Sequence, residues 1–345
     1  MMKKRVTIHD IARIAGVSSA TVSRVLSKSS YPVSSELRQK IEQLAEEHDY
    51  IPNMVGKQLK THTNTTIGVI VPTISNPFYS SVVLGIEEMA RRNNYHVFLC
   101  NSLQNPKQED EYLEKLFENQ VKGVILSSIS FNRKLMTRLI KLGLKVIAID
   151  QPLDLPDVLQ IKFDYRKGGY MAAKYLADQG HRRIAYVTAP LDRPSRQSIY
   201  EGYLDALQEA GIALEEQLVK VSEPTGGDET RGEFENGKLL TRQLLELSEL
   251  PTAIFACNDM TAFGVISELT EHGVKIPEHI SVVGFDNIDF SQMIAPPLTT
   301  INQPSYEMGK LAYNMLMELM NGGQAEMDIV LQPKLVQRST VTAVK

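Results

Sequence analysis

Residues 17–26 read Val17-Ser18-Ser19-Ala20-Thr21-Val22-Ser23-Arg24-Val25-Leu26. Val22, Val25 and Leu26 recur at helical spacing, and Ser18 stands where a hydroxyl can cap the first free backbone N–H groups. The preceding residues supply a partner helix. Thr7 followed three positions later by Asp10 has the spacing of a capping box, and Ile8, Ile11, Ala12 and Ala15 form an apolar face. Gly16 comes next, a residue that tolerates the left-handed conformation at which helices end. Two short helices joined by a tight glycine turn make a helix-turn-helix. A third helix starts near Ser34 or Ser35 and presents Leu37, Ile41, Leu44 and Ala45, which closes a small three-helix core.

Working outward, Pro52-Asn53 restarts the chain in a short segment, and the polar, β-branched residues 61–66 form a linker. From residue 67 the texture changes. Short apolar runs at 67–72, 96–101, 123–128 and 145–150 alternate with amphipathic helices, and a second series follows at 183–188, 218–222, 253–257 and 281–286. Alternating β and α implies doubly wound parallel sheets, and two series imply two lobes. The expected organisation is an all-α helix-turn-helix head (residues 1–51), a hinge helix and linker (52–66) and an α/β two-lobed core (67–345). Lobe 1 is expected at about 67–163 and 296–323, lobe 2 at about 164–295 and 324–345. The Gly/Glu-rich stretch 223–236 is the least regular part.

Composition sets limits on function. The chain has 345 residues, 43% of them hydrophobic, which suits two or three domains with sizeable cores. No run approaches the roughly 18 apolar residues of a membrane span. The basic start at Met1 to Arg5 leads into no apolar segment of a secretory signal, so a cytoplasmic protein is expected. Cys100 and Cys257 belong to no metal-ligating cluster and read as buried thiols; no metal or cofactor is expected. Net charge is −4, yet residues 1–62 hold ten Lys/Arg against six Asp/Glu, leaving 27 against 35 in the remainder. A basic head on an acidic body fits a DNA-binding module fused to a ligand module.

Residues 17–26, with Thr7-Ile8-His9-Asp10-Ile11-Ala12 and Ala15-Gly16, resemble the head of the LacI/GalR family of bacterial transcription regulators, and the resemblance runs through most of the chain. By position in the helix-turn-helix, Ser19 and Ala20 lie where side chains reach base edges in the major groove. Ala20 offers only apolar contact, such as to a thymine methyl. Arg24, one turn on, has the geometry to address guanine O6 and N7. Thr21 and Ser23 suit phosphates or neighbouring backbone, and Thr7 and Ser18 suit phosphate at helix N-termini. Residues 52–59, Pro52-Asn53-Met54-Val55-Gly56-Lys57-Gln58-Leu59, are similar to the family's hinge helix. The resemblance implies that two hinges of a homodimer enter the minor groove of a pseudo-palindromic operator, where Asn53 contributes and Leu59 wedges a central base step. Gly56 stands where the family usually has alanine, at a helix cost of about 1 kcal/mol. Gly56→Ala is therefore expected to tighten operator binding, and an unchanged titration would dismiss that expectation.

The core resembles the two-lobed sugar-binding fold shared with periplasmic binding proteins, in which ligands sit at the C-terminal ends of strands. The strand ends carry Asn76, Phe78 and Tyr79 after the first run, Asp150 after the fourth, and Asn258 and Asp286 in the second lobe. Aromatic faces beside fixed acceptors suit polyols, since a buried hydroxyl needs a partner. Asp259 reads as a helix cap rather than a ligand contact. The arginine that often clamps the effector three residues before the glycine of the following helix is Ile199 here. Arg193 and Arg196, with Ser195 between them, are candidate substitutes and would favour an acidic or phosphorylated ligand. Pro296-Pro297-Leu298-Thr299-Thr300-Ile301 resembles the crossover that returns the chain to lobe 1. The chain ends soon after Arg338 with no heptad tail, so a dimer is expected.

The implied function is a DNA-binding repressor whose operator affinity is set by a small sugar-like effector, an inducer by this reading. A corepressor would reverse the sign. A catabolite-control regulator driven by a phosphorylated carrier protein ranks second, because Ile294-Ala295-Pro296 lacks the basic residue expected in such a surface. A solute-binding transport component fits the core alone and leaves the head unused. An enzyme finds no phosphate loop, HExxH or GxSxG motif.

Overall fold

The computed structural model describes residues 6–27, 31–50, 65–130, 132–156, 158–223, 232–323 and 328–344. The chain divides into two compact units, Met1–Asn64 and Thr65–Lys345.

The first unit contains α1 (Ile8–Ala15), α2 (Ser19–Leu26) and α3 (Ser35–Glu47). Its local chemistry follows the sequence closely. The Thr7 hydroxyl accepts from Asp10 N–H, and the Asp10 carboxylate accepts from Thr7 N–H at 3.0 Å, which completes the capping box. Gly16 terminates α1 at φ 74°, where a Cβ would be strained. The Ser18 hydroxyl accepts from Thr21 N–H at 3.1 Å and starts α2; Ser34 does the same for α3 through Leu37 N–H at 3.3 Å. Each cap contributes about 1 kcal/mol to a helix too short to stand on propensity alone. The stripes meet in a core of Ile11, Ala12, Ala15, Val22, Val25 and Ile41. The hinge residues, Asn53, Gly56 and Leu59 among them, lie outside the described residues.

The second unit begins with β1 (Thr66–Val71), α4 (Pro77–Arg92), β2 (His96–Asn101), α5 (Pro106–Glu118), β3 (Gly123–Leu126), α6 (Arg133–Lys141), β4 (Lys145–Ile149) and β5 (Leu159–Phe163). It then builds α7 (Tyr165–Asp178), β6 (Ile184–Thr188), α8 (Pro194–Glu209), β7 (Val219–Val221), α9 (Glu233–Leu245), β8 (Ala253–Ala256), α10 (Asp259–Glu271), β9 (Ser281–Asp286) and β10 (Thr299–Asn302). The tail comprises α11 (Ser305–Met320), β11 (Ile329–Leu331) and β12 (Lys334–Val336). One sheet runs β11-β5-β4-β3-β1-β2 and the other β12-β10-β9-β8-β6-β7. Pairing is parallel throughout except between β10 and β12. β3, β6 and β8 are buried along their whole length, as expected of strands covered on both faces. Each sheet reverses its winding beside its first strand, at β1/β3 and β6/β8, where a crevice opens at the strands' carboxyl ends.

The tail departs from the expected lobe boundaries. The sequence places 296–323 in lobe 1 and 324–345 in lobe 2. β10 instead pairs with β9 in the second sheet, and only α11, packed on α4 and β4, belongs with the first. β11 pairs with β5 in the first sheet before β12 returns to the second. The chain thus crosses between lobes three times, after β5, after β10 and after β11. β5, β10, β11 and β12 fall outside the two strand series read from the sequence. Two of these four, β11 and β12, lie at sheet edges and are only three residues long, where the apolar signal is weakest.

Two helix crossings set the site's geometry. A Cβ on Gly202 of α8 would lie 2.0 Å from the Arg166 carbonyl oxygen, and one on Gly237 of α9 would lie 2.2 Å from the Thr261 carbonyl oxygen. Only glycine permits these backbones to approach so closely, which fixes where the N-termini of α8, α9 and α10 stand.

Candidate functional site

The nine side chains expected to contact an effector converge on one cleft in the second unit. Asn76, Phe78, Tyr79 and Asp150 come from the first lobe; Arg193, Ser195, Arg196, Asn258 and Asp286 come from the second. The cleft is narrow, with about 60 Å³ of free space between the two lobes' side chains. The sequence missed several further lining residues, including Gln151, Tyr165, Glu233 and Gln303. Ile199, at the position of the absent arginine, is buried and lines the same space.

Asp150 ends β4 at φ 62° and is buried. One carboxylate oxygen accepts from the Tyr79 hydroxyl (2.8 Å), the Ser127 hydroxyl (3.0 Å) and Gln151 Nε2 (2.9 Å). The other accepts from the Tyr165 hydroxyl, which itself accepts from Gln303 Nε2 at 2.8 Å. Burial, followed by the charge of Asp150, holds both tyrosines well above the ordinary phenol range, so they remain donors. The expectation of Asp150 as an open acceptor for ligand hydroxyls changes accordingly. Its lone pairs are engaged by protein donors, and it organises the floor of the cleft.

Asp286 ends β9 at φ 116°, followed by Asn287 at φ 60°. Among the described residues, no donor reaches its side-chain carboxylate, which lines the cleft. Burial, then the charges of Asp259, Glu233 and Asp150, raises it well above the usual carboxylate range. The loop that carries it is braced from behind. Arg338 donates to Asn287 Oδ1 at 2.7 Å and to the Leu298 carbonyl at 2.7 Å, and Asn287 donates to Asn302 Oδ1 at 2.8 Å.

Asn258, not Asp259, caps α10, accepting from Thr261 N–H at 2.8 Å, and it lines the cleft, where its amide nitrogen has no acceptor among the described residues. Asp259 is fully buried and accepts from Ile288 N–H (2.9 Å), the Ser291 hydroxyl (2.6 Å) and the Thr300 hydroxyl (2.5 Å). Desolvation raises it to about 6 against these bonds. A Cβ on Gly284 would lie 2.3 Å from the Asp259 carboxylate, so Gly284 makes room for it.

Further side-chain pairs bridge the lobes around the cleft. Asn76 Nδ2 donates to Glu233 at 2.8 Å, Arg193 donates to Gln104 Oε1 at 3.1 Å, and Gln151 Nε2 donates to the Ser195 hydroxyl at 2.7 Å. Asn76 also caps α4 through Phe78 N–H at 2.8 Å. Phe78 and Tyr79 pack edge to face at 5.1 Å. Arg196 is turned to the Pro190 carbonyl and Asp192, both at 3.1 Å, and so is partly neutralised.

In the head, Ser23 and Arg24 are exposed on α2, and Ser19, Ala20 and Thr21 are half-buried. The Thr7 hydroxyl donates to Asp10 at 2.7 Å, and the Ser18 and Thr21 hydroxyls share a bond of 2.9 Å. Hydroxyls engaged in caps leave the backbone N–H groups of the helix ends as the freer phosphate donors. The Arg24 guanidinium lies 4.1 Å from the Tyr31 ring centroid, a stacking partner not read from the sequence. Among the described residues, no cluster of His, Cys, Asp and Glu is arranged to hold a metal, and no helix is long and apolar enough to cross a membrane.

Comparison with known proteins agrees with both units. Residues 7–53 match the family model for bacterial regulatory proteins of the lacI family, and residues 173–341 match a periplasmic binding protein-like domain. The transcriptional repressor PurR of Vibrio atlanticus is 34% identical over 97% of this chain and 98% of its own. A LacI family regulator of Enterococcus faecium solved with bound ribose is 31% identical, with a TM-score of 0.72 over 81% of this chain and 100% of its own. The lac repressor dimer bound to operator and an anti-inducer is 27% identical, with a TM-score of 0.82 over 99% of this chain and 100% of its own.

Proposed function

The chain belongs to the LacI family of bacterial regulatory proteins, and on that premise we propose that it is a cytoplasmic homodimeric repressor that binds a pseudo-palindromic operator and is released by a sugar-like inducer. It is a DNA-binding regulator rather than an enzyme, as its relatives are. Operator contacts are assigned to Thr7, Ser18, Ser19, Ala20, Thr21, Ser23 and Arg24 in the head, with Asn53 and Leu59 in the hinge. The exposure of Arg24 at the end of α2 supports direct base readout, worth about 1–3 kcal/mol of discrimination for a bidentate guanine contact.

The observation that carries the effector reading is the convergence of both lobes' strand ends on one cleft, with a carboxylate, Asp286, inside it that meets no donor among the described residues. A ligand there touches both lobes and biases their relative position. If it binds the low-affinity arrangement better, operator binding weakens, and linkage makes the effect reciprocal. A dimer is supported by apolar surface exposed on both lobes. Leu84, Phe98 and Leu99 stand out in the first, and Phe290 and Met293, 51% and 67% exposed, in the second. Phe290 borders an apolar groove lined by Met260, Phe263 and Ile266.

The test is a fluorescence-anisotropy titration of the full chain against a pseudo-palindromic operator with a central CpG step, with and without a panel of sugars and sugar phosphates. Tight, salt-dependent binding weakened by one compound is expected. Binding that appears only with a compound makes it a corepressor system. Binding no tighter than to random DNA would refute the function.

A further inference from the structure

The charges around the cleft are unevenly distributed. Asp286 and Glu233 lie in it on the second lobe, and Asp150 forms its floor. Asp150 is saturated with protein donors. Glu233 receives only Asn76 Nδ2, on one oxygen, and Asp286 receives none, among the described residues. The arginines do not offset this acidic end. Arg193 bonds Gln104 and sits where its charge is felt by Tyr79; Arg196 bonds Asp192 and is felt by Tyr186. The charges that act most strongly on Asp286 are those of Asp259, Glu233, Asp150 and Cys257, each of which disfavours its ionised form. Behind it, Arg338 is committed to Asn287 and the Leu298 carbonyl.

A neutral hydroxyl would satisfy one lone pair of Asp286 and leave the excess of negative charge in place. A phosphate or carboxylate would add to it. An ammonium group supplies three donors and a compensating charge, and no acceptor that would remain unmet. Phe78 and Phe285 line the same cleft and suit the apolar face of a compact ring or chain.

We propose that the effector carries a protonated amine on a small polar body, and that this ammonium is bound between Asp286 and Glu233. This rests on the assignment of the cleft as the effector site. It departs from the acidic or phosphorylated ligand that Arg193 and Arg196 suggest in the sequence, because the structure gives Arg196 a carboxylate partner and, among the described residues, brings no donor to the Asp286 carboxylate.

The test is isothermal titration calorimetry of the full chain with matched pairs differing in one group: D-glucosamine against D-glucose, D-galactosamine against D-galactose, D-mannosamine against D-mannose. Putrescine serves as an amine without a sugar body. Near pH 7, at least one amine is expected to bind roughly tenfold or more tighter than its hydroxyl partner. Tight binding by the amino sugar assigns the ammonium to that class, and by putrescine alone to polyamines. Asp286→Asn should abolish the preference, and Glu233→Gln, which keeps an acceptor for Asn76, should reduce it. The preference should also shrink as the pH is lowered, since the amines stay charged while Asp286 takes up a proton. Equal or tighter binding by the neutral sugars overturns the proposal but leaves the site assignment standing. No binding by any amine overturns it too; in that case, D-ribose binding that is lost in Asp286→Asn preserves the site assignment, and its absence removes both.

Discussion

The two lobes present the same motif in opposite states. Each ends a strand with an aspartate at positive φ, Asp150 at 62° after β4 and Asp286 at 116° in the last position of β9. Non-glycine residues held there cost about 1–3 kcal/mol and persist where the surroundings over-determine them. Around Asp150, that determination comes from four donors, those of Tyr79, Ser127, Gln151 and Tyr165. Around Asp286 it comes from the backbone, through Asn287, Arg338 and the Asp259 latch, with the carboxylate itself left open. The same backbone device serves stability on one side of the cleft and, on the proposed reading, recognition on the other.

That contrast breaks most visibly at Asp150. Asp150→Ala leaves the hydroxyl protons of two buried tyrosines and one amide proton of buried Gln151 without an acceptor, and a loss of about 4 kcal/mol in the stability of the core is expected by urea denaturation. Asp286→Asn should not destabilise the protein without ligand, since it removes an uncompensated charge. A comparable loss at both positions would erase the distinction.

Acidity sharpens the comparison further. Asp286 is raised in the folded state, so the folded protein holds its proton more tightly than the unfolded chain. No penalty exists below the unfolded value of about 3.9, and the penalty grows as pH rises from there toward the folded value. The stability of Asp286→Asn relative to the parent should therefore increase with pH over that window. A flat difference would place Asp286 in ordinary solvent. The smallest expected effect is Ser127→Ala, which removes one of four donors to Asp150 and should cost about 1 kcal/mol, with effector affinity preserved.

Legibility in the sequence follows the range of the interactions. The head was readable almost residue by residue, because the Thr7–Asp10 box, Gly16 and the Ser18 and Ser34 caps are local chemistry. Asp150 and Asp286 could be located because strand ends are visible in the apolar pattern, but their different roles could not. Those roles depend on Tyr165 and Gln303, which flank interlobe crossings at β5 and β10 that the strand series omits. Glu233 sits within the irregular 223–236 stretch, with no periodicity to mark it as the start of a helix facing the cleft. Asp259 looked like a cap because it opens a helix; only the fold shows Asn258 doing that work while Asp259 ties α10 to residues 288–300.

The most direct test of the account is operator binding measured by fluorescence anisotropy for the parent chain and Asp286→Asn side by side, at fixed salt, across a titration of any compound that weakens the parent's binding. Equal operator affinity without compound, and a compound response confined to the parent, is the expected result. An identical response in both proteins would contradict the account by removing Asp286, and the cleft it lines, from effector recognition.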